Sequence, residues 1–175
     1  APTVTKGYID LTNAFPYLSD SLTIAGWIRT TDNSPGNQWI FKHSSASGTG
    51  YSLSLGTAGA GRLRFASNGA ATVNLDSPSS AASLLAANTW YFVAAVADFS
   101  GLPNIVRKVY VYDTSGALLT GYPVSLTSTG WDDTEAGAAT LGGDGTTSLL
   151  GNLDEVQIFD KPLNQAALTS LAQAR

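Results

Sequence analysis

Apolar and polar residues alternate with a period of two along most of this chain, the spacing of strands that turn one face to a core. Ser21 to Arg29 sets Leu22, Ile24, Gly26 and Ile28 against Thr23, Ala25 and Trp27. Both sets are largely apolar, which predicts a central strand covered on both faces. Thr89 to Asp98, TWYFVAAVAD, is the strongest strand and is expected to be buried. Val4 to Leu11 reads as the first strand, with Tyr8 and Asp10 facing opposite ways from Ile9. Gln38 to His43, Gly50 to Leu55, Arg62 to Ser67 and Ala71 to Leu75 read as short strands of a meander. Lys108 to Asp113 and Leu118 to Pro123 are expected to form a hairpin over Thr114-Ser115-Gly116. Ala138 to Gly142 and Asn152 to Phe159 then finish the sheets.

That makes about a dozen strands separated by turn clusters, with no linker and no repeat. Asp32 to Asn37 is a clear loop, and Ser77 to Asn88 reads as a loop with one helical turn. Pro162 sets up a helix from Asn164 to about Ala174, with Leu163, Ala167, Leu168 and Leu171 on its apolar side. Helix formers are otherwise scarce and β-branched residues common, so the class is all-β with a short C-terminal helix. At 175 residues the chain makes one domain, residues 1–175, able to bury ~70% of its extended surface.

The ordered segments carry a resemblance. Thr140 to Leu171, with its Gly-Asn-Leu-Asp-Glu-Val-Gln-Ile-Phe-Asp run before the helix, resembles the closing segment of laminin-G-like and pentraxin-like domains. These belong to the concanavalin-A-like lectin/glucanase jelly rolls. Ser21 to Ile28, Ile40-Phe41-Lys42-His43, Gly50 to Leu55, Thr89 to Ala94 and Val109 to Tyr112 resemble further strands of that group, in the right order. The resemblance spans nearly the whole chain. It implies an antiparallel jelly-roll β-sandwich, a fold used mostly for binding.

Composition removes several classes. Charged residues are 13% against 43% hydrophobic, as in a compact globular protein. Net charge is −4 and the nine basic residues are scattered, so no stripe tracks phosphates and nucleic acid is not expected as a partner. No apolar run approaches the roughly 20 residues of a membrane span. No signal peptide is visible; Ala1-Pro2-Thr3 fits either a removed initiator Met or a cleaved leader. There is no Cys, which excludes disulfides and thiolate metal sites. The Cys-free, Met-free, Lys-poor surface is compatible with an extracellular, cell-surface or virion setting.

Metal chemistry enters through the resemblance. It places Asp154 at the position of a calcium ligand, opposite the Lys6-Gly7 step, where relatives often have Asp-Gly and a carbonyl serves whatever the side chain. A structural Ca²⁺ there would tie the two ends of the chain together; alternatively, Asp154 accepts backbone N–H groups and fixes the sheet edge. Asp144, in Gly142-Gly143-Asp144-Gly145, occupies the loop where pentraxin-like relatives hold ligand-bridging calcium. Its other reading is an Asp-Gly turn.

For ligand contact, Trp131, Asp132, Asp133 and Glu135 combine an aromatic face with carboxylates that accept hydroxyl hydrogen bonds, the two parts of a sugar site. The other reading makes Trp131 a plug for the sandwich end. Trp27 and Trp90 are read as core, while Trp39 begins a strand at the rim or under the sheet. The resemblance implies that Tyr51 and Arg64 fall on strands of the concave sheet, which makes them reserve contacts.

Catalysis lacks its apparatus. His43 is the single histidine, read as a polar loop-edge residue beside Ser44 and Ser45, and no acid is positioned to make a triad. A retaining glycosidase needs paired inward carboxylates, and the only Glu residues are Glu135 and Glu155. A lyase would have to be assembled from Arg64, Gln38, His43 and Tyr51. The expected function is therefore a non-catalytic module that binds a glycan or surface ligand through rim loops. The alternatives are a structural or decorating subunit of a virion or cell-surface assembly that binds protein, oligomeric in that case, and, further off, a polysaccharide lyase or glycosidase.

Overall fold

The structure is a computed structural model and describes residues 7–11, 21–44, 50–68, 72–129 and 138–174. Eleven strands and one helix follow in order among these residues: β1 Ile9–Asp10, β2 Leu22–Thr30, β3 Gln38–Ser44, β4 Gly50–Leu55, β5 Leu63–Asn68, β6 Val73–Asp76, β7 Trp90–Asp98, β8 Ile105–Tyr112, β9 Val124–Ser128, β10 Ala138–Leu141, β11 Gly151–Phe159 and α1 Gln165–Gln173. A single 3₁₀ turn, Ala81–Ser83, sits in the loop before β7. The strands form two antiparallel sheets, β1-β10-β3-β4-β5-β6 and β11-β2-β7-β8-β9. This is the expected jelly-roll β-sandwich.

The main core lies between the sheets. Leu22, Ile24 and Ile28 of β2 meet Phe41, Leu53 and Phe65 of the other sheet in one buried cluster. The opposite face of β2 is buried too: Ala25 and Trp27 join Phe92, Tyr110 and Tyr112 beneath α1. The two-sided coverage read from the alternation of β2 is thus present, and the helix supplies the second cover. Trp27 meets Phe92 edge-on at 5.7 Å, worth about 0.5–1.5 kcal/mol beyond area burial. Trp90 departs from expectation: it is the first residue of β7 and only partly buried against that second cluster.

Helix α1 forms because Asn164 caps it, its side chain accepting from the Ala167 N–H at 2.9 Å. It buries Leu168 and Ala172, one turn apart, on the outer face of the five-stranded sheet. Thr23 fixes the entry to the helix: its hydroxyl donates to the Lys161 carbonyl at 2.8 Å and accepts from Leu163 N–H at 2.9 Å.

The hairpin expected over Thr114-Ser115-Gly116 is corrected. The turn exists, but Leu118 to Pro123 makes one bridge, Tyr112 to Leu118, and no strand. Gly121 adopts φ +90° and Pro123 has no N–H for a ladder, so pairing resumes only at Val124, opposite Val109. Tyr122 turns inward and donates to the Ser83 carbonyl at 3.1 Å. Strand β8 also begins at Ile105, three residues before the Lys108 start expected from the sequence.

Strand β11 carries a bulge. Asp154 pairs with Trp27 and Gln157 with Ala25, leaving Glu155 and Val156 opposite Gly26 alone, with Glu155 at φ +49°. A side chain at position 26 would meet the Val156 Cα at 3.0 Å, so the glycine makes room for the bulge.

Candidate functional site

Helix α1 covers the outer face of the five-stranded sheet; the outer face of the six-stranded sheet carries no such cover among the described residues. The register of that sheet decides what it displays. Trp39, Ser54, Arg64 and Asp76 fall side by side across β3, β4, β5 and β6, and Lys42, Ser52, Ala66 and Asn74 form the next row. With strands about 4.8 Å apart, each row spans roughly 14 Å, the length of a short oligosaccharide. Ser52, Ser54 and Ala66 are small and buried, so they make a floor between longer side chains on either side.

On one side Lys42 is held over Trp39, its ammonium 5.1 Å from the ring centroid, and donates to Asp144 Oδ2 at 2.8 Å. On the other, Arg64 grips Asp76 with two bonds, Nε to Oδ1 at 2.6 Å and Nη2 to Oδ2 at 2.8 Å. This pairing holds the Asp76 carboxyl below its ordinary value. Among the described residues the face therefore presents the Trp39 ring and two ion pairs, with donors and acceptors next to each other. Trp39 Nε1 and Thr140 Oγ1 are buried on this side with no hydrogen-bond partner among the described residues; Thr140 is Lys42's partner across β10 and β3.

Asp144 sits in the expected Asp-Gly turn. Its Oδ1 accepts from Thr146 N–H at 3.0 Å, Thr147 N–H at 2.9 Å and the Thr146 hydroxyl at 2.6 Å. Burial pushes the carboxyl up, but Lys42 and these hydroxyl and amide donors outweigh it and hold the group well below the usual carboxylate range. With both oxygens engaged and an ammonium already against Oδ2, Asp144 does not fit a calcium ligand. Asp154 is exposed on β11 beside the bulge, whose backbone leaves the regular ladder. A carboxylate is the kind of donor a hard cation takes. No group of three His, Asp or Glu side chains gathers among the described residues.

A cleft of about 350 Å³ opens beside Gln38 at the start of β3, between the Asp32–Asn37 loop and the Thr147–Leu150 segment. Buried Gln38 braces both walls: its Nε2 donates to the Asp32 carbonyl at 2.6 Å, and its Oε1 accepts from Leu150 N–H at 3.2 Å.

Of the residues predicted for ligand contact, Trp39 lies on the open face. Trp131, Asp132, Asp133 and Glu135 fall outside the described residues, as does Lys6 among the predicted metal positions. Arg64 is on the face as the reserve reading had it. Tyr51 and His43 are corrections: both are buried between the sheets, with ring centroids 5.1 Å apart. Side chains two apart share a face, and His43 shares the inward one with Phe41. Lys42, Asp76 and the serine floor were not read from the sequence. Their signal was the polar half of each alternation, Lys42 in β3, Ser52 and Ser54 in β4 and Arg64 in β5.

Comparison with known proteins adds the following. No curated protein matches the chain. Among solved structures, the Ruminococcus gnavus IT-sialidase CBM40 superposes with a TM-score of 0.70 at 19% identity, covering 94% of this chain and 91% of that one. The same domain is also known bound to α2,3 sialyllactose. A native heptameric SAP-like pentraxin from Limulus polyphemus superposes with a TM-score of 0.62 at 17% identity, covering 87% of this chain and 70% of that one. The receptor-binding domain of botulinum neurotoxin mosaic serotype C/D gives 0.65 at 17% identity, covering 96% of this chain, which spans only 39% of that longer one. These likenesses establish the fold. A family model described as the concanavalin A-like lectin/glucanases superfamily matches residues 3–169, and with two facing antiparallel sheets and a closing helix the chain belongs to that laminin-G-type family.

Proposed function

We propose that this chain is a non-catalytic glycan-binding module whose ligand lies on the open face of the six-stranded sheet. The observation that carries the reading is the row of Trp39, Ser54, Arg64 and Asp76, a ring, a small floor residue and an ion pair aligned by the register. Sugars pack C–H groups on an aromatic face and exchange hydroxyl hydrogen bonds with carboxylates and cations. Two of the similar structures are named for sialylated ligands, α2,3 sialyllactose and SialylT. Here the cations of the face are already balanced, Lys42 by Asp144 and Arg64 by Asp76. That favours the hydroxyls of a neutral glycan over a sialic carboxylate, which would have to displace an internal anion. The module works outside the cell or on a virion surface, and a structural Ca²⁺ at Asp154 belongs to the same reading.

A glycan array of the purified chain, with Ca²⁺ and with EDTA, tests this. Selective binding of neutral glycans that is lost in Trp39→Ala, with the fold intact, is the expected result. Binding confined to sialylated glycans would overturn the neutral preference. Silence under both conditions would replace the glycan reading with that of a protein-binding structural subunit.

A further inference from the structure

A second cleft, of about 320 Å³, lies on the opposite side of the molecule between the start of α1 and the outer face of β7 and β8. Its size is at the lower end for small-molecule sites, roughly 300–1,000 Å³. The register explains its chemistry. Val96 pairs with Lys108 and Asp98 with Val106, so Asp98 and Lys108 share this face as a diagonal pair, about 7–8 Å apart at the backbone. They are not in direct contact: Asp98 Oδ1 accepts from Ser100 N–H at 2.9 Å, and that bond, with the Lys108 charge behind it, holds the carboxyl below its ordinary value.

Tyr110 also lines it. The residue is 3% exposed, packed flat against Tyr112 at 6.4 Å, and its hydroxyl makes no hydrogen bond with any described residue. The ring is buried, but the phenol oxygen is not among the sealed, unpartnered polar atoms, so it reaches the cleft and can exchange water for a ligand's acceptor. Burial raises its pKa, so it remains a proton donor. Asn164 adds a second donor: its Oδ1 is used in the cap, which leaves its amide N–H₂ free to face a ligand. The first turn of α1 carries no acidic side chain, so its N-terminal partial positive charge is uncompensated. Donors thus gather around Lys108, Tyr110 and Asn164, one carboxylate stands apart at Asp98, and apolar Val96 and Leu163 lie among them.

We propose that this cleft is a second ligand site that takes a small zwitterion of the aliphatic amino-acid type. The ligand's carboxylate meets Lys108, Tyr110 and Asn164; its ammonium meets Asp98; its side chain lies on Val96 and Leu163. Opposite charges held apart on one face select a ligand that carries both, because a singly charged one leaves one wall unpaired.

The test is an amide NMR titration of the whole chain with L-leucine, alongside 4-methylpentanoate and 3-methylbutylamine, which keep one charge each. Saturable shifts at Lys108, Asn164 and Gln165 with L-leucine are expected, with each analogue weaker by about tenfold. Asp98→Asn and Lys108→Gln should each weaken L-leucine by about tenfold. Tyr110→Phe, which keeps the ring packing, should weaken it less. Trp39→Ala should leave it unchanged, which separates this site from the open face. Absence of saturable shifts, or equal binding of 4-methylpentanoate, would sink the proposal.

Discussion

The ammonium of Lys42 lies 2.8 Å from the Asp144 carboxylate, so a loop between β10 and β11 holds a β3 side chain over its own neighbour Trp39. Any ligand that uses this ring meets an aromatic surface already shared with a cation. The same contact couples the stability of the open face to pH. Asp144 has a folded-state pKa depressed well below its ordinary 3.8. A depressed carboxyl contributes stability that is complete above its unfolded value and is lost as pH falls from there toward the folded value.

The variant Asp144→Asn keeps an acceptor for the turn and removes the charge. It should cost about 1 kcal/mol or less at neutral pH, since Lys42 is partly exposed and solvent screens the pair. That difference should stay constant on acidification until about the ordinary carboxylate range and shrink below 3.8. Urea unfolding of both proteins at a series of pH values measures it. A difference that grows in acid would contradict the assignment.

A second prediction concerns the buried end of the sandwich. Arg107 is fully buried and donates to the hydroxyls of Ser67, at 3.1 Å, and Ser128. Burial alone lowers its pKa. Removing an acceptor from a buried guanidinium should cost about 1.5–3 kcal/mol, so Ser67→Ala should lower the urea midpoint clearly. Asn74→Ala, on an exposed position of the neighbouring strand, is the control and should change stability by less than about 0.5 kcal/mol. Equal effects would mean that the Arg107 contact contributes nothing.

The calcium proposed at Asp154 makes its own prediction. A cation bound only by the folded state stabilises by mass action, so millimolar Ca²⁺ should raise the melting temperature and EDTA should reverse it. Asp154→Ala should remove the response and Asp144→Asn should keep it, because Lys42 already occupies the cation position there. A melting temperature indifferent to EDTA ends the calcium reading.

How far these features were legible differs residue by residue. The two apolar faces of Ser21–Arg29 announced a doubly covered strand, because alternation reports both sides of a pleat at once. Pro162 and Asn164 announced the closing helix through capping chemistry that is local in sequence. Leu118–Pro123 misled because its apolar content suggested a strand, whereas Gly121 and Pro123 deny it the backbone geometry and the donor that pairing needs. His43 misled for another reason. Polarity suggested a loop edge, but its place two residues from Phe41 puts it on the inward face, against Tyr51.

What the sequence determined by itself was the all-β class, most strand positions, the helix and, through resemblance, the jelly roll. Each depends on spacing or capping within a few residues. What only the tertiary structure decided was which polar residues meet. Trp39 and Asp76 are 37 positions apart in number, and Lys42 and Asp144 are 102 apart, yet each pair shares one face. Their meeting is set by the order and register of strands in a sheet, and a shift of a single residue would send every one of those side chains to the opposite face.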